Sequence, residues 1–258
     1  VPLYVLYLGG VREGYGGASE GSGRLGVGRT RQMRWEEGEE EGLRKMEMFK
    51  LGNPQSNIVL IQPVDDHDLE GIENEFAEVV RKCEMSFSLI AVRINDWNNE
   101  LSPWKAPTVF GKEDFGGRAS KTLGELLDLC ADKRKTYYIG GYSLAGLFAL
   151  WAAYQTDTFS GVAAASPSLW YPDFAEYMKK NEIRTDTVYL SLGDREEKTR
   201  NPVMATVGSR IREAFELLKE RNVNCILEWN NGNHFKNADI RTAKAFSWVM
   251  NSKGTKYH

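Results

Sequence analysis

Histidine and cysteine are both scarce in this 258-residue chain, at three each. Cys83, Cys130 and Cys225 lie far apart with no CxxC pair, which argues against a zinc knuckle or a thioredoxin-type redox site. A sparse, odd count fits buried free thiols in a reducing compartment, so a cytoplasmic protein is expected. No run approaches the roughly 18 apolar residues that cross a bilayer, and no basic n-region precedes the short apolar stretch at 1–8. The formal net charge is only -3, so charge alone implies no nucleic-acid partner and no anionic membrane surface. With so few histidines (His67, His234 and His258), any chemistry that needs an imidazole has few sources.

Residues 1–45 differ from the rest. They hold 11 of the 25 glycines, end in an acidic run from Glu36 to Glu41, and keep no apolar period. Such a segment buries too little apolar area to offset its ordering entropy, so it is expected to be disordered or a non-native leader, with Met46 or Met48 as a sensible start. From there strands and helices alternate. Apolar runs predict strands over 57–64, 87–94, 136–141, 161–165, 187–192 and 224–229. Helical spacing predicts helices over 69–83, 120–133 (capped by Ser120), 144–154, 172–180, 202–221 (opened by Pro202) and 238–250. Residues 95–117 read as a long irregular loop. Six alternations imply an α/β domain over 46–258, with a mostly parallel sheet covered by helices on both faces and no large cap.

The sharpest signal is Gly140-Gly141-Tyr142-Ser143-Leu144-Ala145-Gly146 between a strand and an apolar helix, the context of a nucleophile elbow. A serine there projects from a strained turn. The residues two before and two after it are forced together and must be small; here they are Gly141 and Ala145. A hydroxyl near neutral pH needs a base. In this chain order the base follows the acid, and His234 lies after the last strand, whereas His258 is the final residue. The acid is expected after the strand at 187–192, in Gly193-Asp194-Arg195-Glu196-Glu197-Lys198. Spacing favours Glu196, with Asp194 second and Glu197 third.

An oxyanion needs preorganised N–H donors. Leu144, at the N-terminus of the helix after the serine, supplies one. Val64 or Asp65, after the first strand, is best placed for the other. Trp97, Trp104, Trp170 and Tyr142 are candidates to line the acyl or alcohol site, with packing beneath the long loop as the alternative. The run Asp65-Asp66-His67-Asp68 sets one histidine among acids, a weak metal-ligand set, and serves better as a helix start capped by Asp68.

Taken together, the elbow, the Ala163–Trp170 stretch AAASPSLW, the Leu192–Glu197 loop and Asn233-His234 resemble the esterase branch of the α/β-hydrolases. That branch includes feruloyl esterases, S-formylglutathione hydrolases and siderophore esterases, and the likeness covers about residues 48–250. The resemblance implies hydrolysis of small carboxylic esters through an acyl-enzyme, with Ser143 as nucleophile, His234 as base and Glu196 as acid, and without metal or organic cofactor. Two departures stand out: Ala145 replaces the usual glycine, and the HGG string common at the oxyanion loop is absent. Acyl transfer, thioester cleavage and a non-catalytic binding role on the same fold remain as rivals.

Overall fold

The computed structural model describes residues 46–252; the expectation for 1–45 lies outside them. Strands β1 (Met48–Gly52), β2 (Ile58–Val64) and β3 (Ser88–Arg93) form one half of a seven-stranded sheet. Strands β4 (Lys105–Ala106) and β5 (Phe115–Gly116) pair as a separate small ribbon within the long loop. The other half of the main sheet is β6 (Thr136–Tyr142), β7 (Phe159–Ala165), β8 (Thr187–Gly193) and β9 (Asn224–Asn230). The order is β1-β3-β2-β6-β7-β8-β9. All neighbours are parallel except β1, which runs antiparallel to β3 with Phe49 opposite Ala91. The sequence reading missed β1, although its buried Phe49 and Leu51 alternate with exposed residues as an edge strand requires.

Helices cover both faces. Helix α1 (Asp66–Lys82) and the last helix, α7 (Ala238–Ser252), pack together on one face, over Leu60, Leu89, Tyr138 and Ala163. On the other face α3 (Ala119–Asp128), α4 (Leu144–Gln155), α5 (Phe174–Lys180) and α6 (Val207–Glu220) cover Ile61, Val92, Ile139 and Val188. The short α2 (Trp97–Glu100) sits at the start of the long loop. Because successive strand residues meet different helix layers, the strands read as continuous apolar runs rather than as alternating ones. Helix α4 is buried from Leu144 to Tyr154 on every side, which explains why its sequence has no polar face.

Several helix starts differ from expectation for tertiary reasons. Ser120 does not cap α3. The helix begins one residue earlier, and the Ala119 N–H donates to the Ser102 carbonyl of the long loop at 3.1 Å. Pro202 does not open α6 directly; a 3-10 turn, Met204–Thr206, intervenes. Helix α1 starts at Asp66, and its N-cap is Asp65 rather than Asp68: Asp65 Oδ1 accepts from the Asp68 N–H at 2.8 Å.

The Asp68 carboxyl is partly buried. Burial, together with the charge of Asp65, pushes Asp68 up to about 7, against the opposing pull of the Asp65 amide, His67 and His234. Between its ordinary value of 3.8 and about 7, the unfolded chain has lost a proton that the folded chain still holds, so this group lowers stability as pH rises through that window. Asp68→Asn is therefore expected to raise the thermal midpoint at about pH 8 and to leave it unchanged at about pH 4, read by circular dichroism melts across that range.

Candidate active site

The strand order reverses direction between β2 and β6, and in open α/β sheets the crevice beyond the carboxyl ends at such a point is where ligands bind. Ser143 follows β6 immediately, and Val64 ends the adjacent β2. The serine backbone lies at φ 57, ψ -120, a conformation few non-glycine residues adopt. It is over-determined by its surroundings. The Ser143 N–H donates to the Ala165 carbonyl at 3.1 Å, and its carbonyl accepts from Leu147 and Ser168. A Cβ on Gly141 would lie 2.6 Å from the Ala145 Cβ, so the methyl at Ala145 fits only because position 141 has none. A Cβ on Gly146 would come within 3.0 Å of the Gly141 carbonyl, so this residue lets α4 lie close against β6.

The Ser143 hydroxyl is 3.0 Å from Nε2 of His234, which sits on the loop after β9. The other imidazole nitrogen, Nδ1, is 2.7 Å from Oε2 of Glu196. Glu196 begins a 3-10 turn, Glu196–Lys198, three residues beyond the end of β8. Its carboxylate is enclosed, with 3% of the side chain exposed. Oε1 accepts from the Gly193 N–H at 2.7 Å, the Ser166 hydroxyl at 2.8 Å and Arg241 Nη1 at 2.9 Å. Burial pushes this carboxyl up, but the hydrogen bond and charge of His234, with the donors from Gly193 and Ser166, outweigh it and hold the group below its ordinary range.

The competing acids face elsewhere. Asp194 Oδ1 accepts from the Gly232 N–H at 2.8 Å, bracing the loop that carries His234, and Glu197 pairs with Arg212 on the surface. The Leu144 N–H lies in the first turn of α4, beside the serine. Val64 is fully buried and its carbonyl accepts from Ile94, while Asp65 caps α1.

A cavity of about 260 Å³ opens at His234, lined by Pro167, Trp170, Met204, Val207 and Phe235, with Arg195 and Lys198 also on its wall. Of the four aromatics singled out in the sequence, only Trp170 lines it. The Trp104 indole donates to the Pro172 carbonyl at 3.2 Å and packs among Tyr171, Phe174 and Tyr177. Trp97 packs against the core beneath the same loop. Tyr142 is buried and works from behind the imidazole: its hydroxyl donates to the His234 carbonyl at 2.8 Å, and burial, then the charge of Glu196, pushes it up to about 12. A wider depression of about 890 Å³, near Asp157, Arg184 and Asn222, lies at the opposite ends of the strands and contains none of these groups. Among the described residues, no three His, Cys, Asp or Glu side chains gather as a metal-ligand set.

Three polar side chains escaped the sequence reading: Ser166, Ser168 and Arg241. Ser168 Oγ lies 3.3 Å from Ser143 Oγ, and Ser166, at φ 44, supports Glu196. Both serines stand in the AAASPSLW stretch, where a Ser-Pro-Ser directly after a strand was the available signal. Arg241 lies in a helix that reads from sequence as an ordinary amphipathic end piece, and nothing local distinguishes it.

Neither a protein-family model nor a curated protein sequence matches the chain. Its backbone is nevertheless similar to several solved structures. A siderophore hydrolase, EstA, from Aspergillus nidulans has a TM-score of 0.61 at 17% identity, over 80% of this chain and 90% of that one. An IroE-like serine hydrolase from Shewanella oneidensis has a TM-score of 0.61 at 14% identity, over 79% and 75%. A carboxylesterase from Bacillus cereus has a TM-score of 0.54 at 19% identity, over 80% and 94%. Likeness at this level of identity identifies architecture, and with the mostly parallel sheet and the strand–turn–helix at Ser143 it establishes that this chain has the α/β-hydrolase fold.

Proposed function

We propose that this protein is a serine hydrolase of small carboxylic esters that works through an acyl-enzyme. The observation that carries this reading is the unbroken line from Ser143 Oγ to His234 Nε2, at 3.0 Å, and from His234 Nδ1 to Glu196 Oε2, at 2.7 Å. In the first half-reaction Ser143 Oγ attacks the ester carbonyl carbon while Nε2 takes its proton. Glu196 accepts the Nδ1–H bond, which fixes the tautomer and stabilises the imidazolium. The tetrahedral oxyanion is held by the Leu144 N–H and by an amide at the Val64–Asp65 junction. Collapse breaks the bond to the alkoxide, which leaves with the proton from Nε2. Water then repeats the cycle, giving the acid and free Ser143.

The narrow cavity beside Trp170, Met204 and Phe235 favours a compact acyl group. The esterases among the structural neighbours support a carboxylic ester over an amide. A fluorophosphonate is expected to label wild type at Ser143 and to leave Ser143→Ala unlabelled. Hydrolysis of p-nitrophenyl acetate by Ser143→Ala is expected to fall by about 10⁴-fold or more in kcat, near the level that the remaining binding groups sustain in a disabled triad. An unlabelled wild-type protein, folded by circular dichroism, would instead favour a non-catalytic binding role.

The choice of acid has its own test. Glu196→Gln is expected to lower kcat by about 10²- to 10⁴-fold, because the amide cannot stabilise the imidazolium. Asp194→Asn keeps an acceptor oxygen for the Gly232 amide and is expected to stay within about threefold of wild type, as is Glu197→Gln. Steady-state kinetics on the three variants, with p-nitrophenyl acetate as substrate, reads the difference directly.

A further inference from the structure

We propose that Arg241 is a positioning residue for the triad, one that fixes the orientation of Glu196 toward His234. This rests on the hydrolase reading above. The Arg241 side chain is among the largest that are wholly enclosed, with 2% exposed. A buried guanidinium survives only where its donors are matched, because an unpaired charge in the interior costs several kcal/mol. Arg241 meets that condition by reaching residues at or just beyond the ends of β6, β7, β8 and β9. Nη1 donates to Glu196 Oε1 at 2.9 Å, to Tyr142 Oη at 2.9 Å and to Ser166 Oγ at 3.2 Å. Nη2 donates to the carbonyls of Asn233 at 3.0 Å and Asn231 at 3.4 Å. Tyr142 immediately precedes the nucleophile and donates its own O–H in a hydrogen bond to the His234 carbonyl. One planar fork therefore touches the nucleophile's neighbour, the acid, and the loop on the N-terminal side of the base.

With Arg241, Gly193 and Ser166 all on Oε1, only Oε2 of Glu196 is left for the imidazole, which holds the carboxylate in a single orientation toward Nδ1–H.

Arg241→Lys keeps the charge and loses the fork; Arg241→Met loses both. With rates normalised to sites titrated by a fluorophosphonate, Arg241→Lys is expected to lower kcat for p-nitrophenyl acetate by about tenfold and Arg241→Met by about 100-fold, each with KM within about threefold of wild type. A merely structural arginine would lower the titratable fraction or the melting midpoint and leave the per-site kcat unmoved.

If Arg241→Met fails to fold, the lysine variant decides by its kcat: a per-site loss under about threefold overturns the proposal and a larger one supports it. The downfield Nδ1–H proton resonance of His234 supplies a readout that needs no activity. It is expected to shift or broaden in Arg241→Lys, and an unchanged resonance overturns the positioning role even if wild type proves inert. Failure of wild type to react with the probe would instead count against the hydrolase reading itself.

Discussion

A carboxylate closed off from water ties this molecule's working end together. Glu196 carries a charge that the interior would reject without compensation, and four groups from separate elements answer it: Gly193 from the end of β8, Ser166 from the end of β7, Arg241 from α7 and His234 from the loop after β9. Each donor is worth more here than in water because the local dielectric is low, and each would be costly to leave unmatched for the same reason. The loops at the carboxyl edge of the sheet are therefore coupled through one anion as well as through the packing beneath them.

The strain at Ser143 complements that arrangement. A serine at φ 57 persists only where neighbouring contacts outweigh its cost of about 1–3 kcal/mol. Here those contacts are the carbonyl of Ala165, the amide of Ser168 and the fit of Ala145 against a residue that has no side-chain carbon. Helix α4, buried on all sides, holds the elbow from below. Rigid support under the serine and a charged clasp around the imidazole together keep Oγ and Nε2 within hydrogen-bonding reach.

Parts of this were plain in the amino-acid order. Six of the seven main-sheet strands announce themselves as apolar runs, and the small residues around Ser143 declare a tight strand-to-helix turn, because both signals are local in the chain. His234 stood out through scarcity. The edge strand β1 was passed over because five residues next to a glycine-rich segment carry a weak pattern. The starts of α3 and α6 were misread because a loop carbonyl from Ser102 and an intervening 3-10 turn, rather than a local Ser or Pro, set them.

What the order of residues determined by itself was the alternation of layers and the tight strand-to-helix turn at Ser143. Each depends on neighbours a few positions apart. Which of three carboxylates meets His234, which aromatic rings border the cavity, and which arginine is drawn inside were decided only by the tertiary structure. Spacing ranks Glu196 ahead of Asp194 and Glu197, but it is the backbone turn after Gly193 that sends Glu196 inward while the other two face an amide and a surface arginine. Tyr142 and Trp104 differ from Trp170 in the same way, through hydrogen-bond partners supplied from distant loops. Desolvation and charge pairing arise when segments 30 to 100 residues apart come together, so no local pattern encodes them.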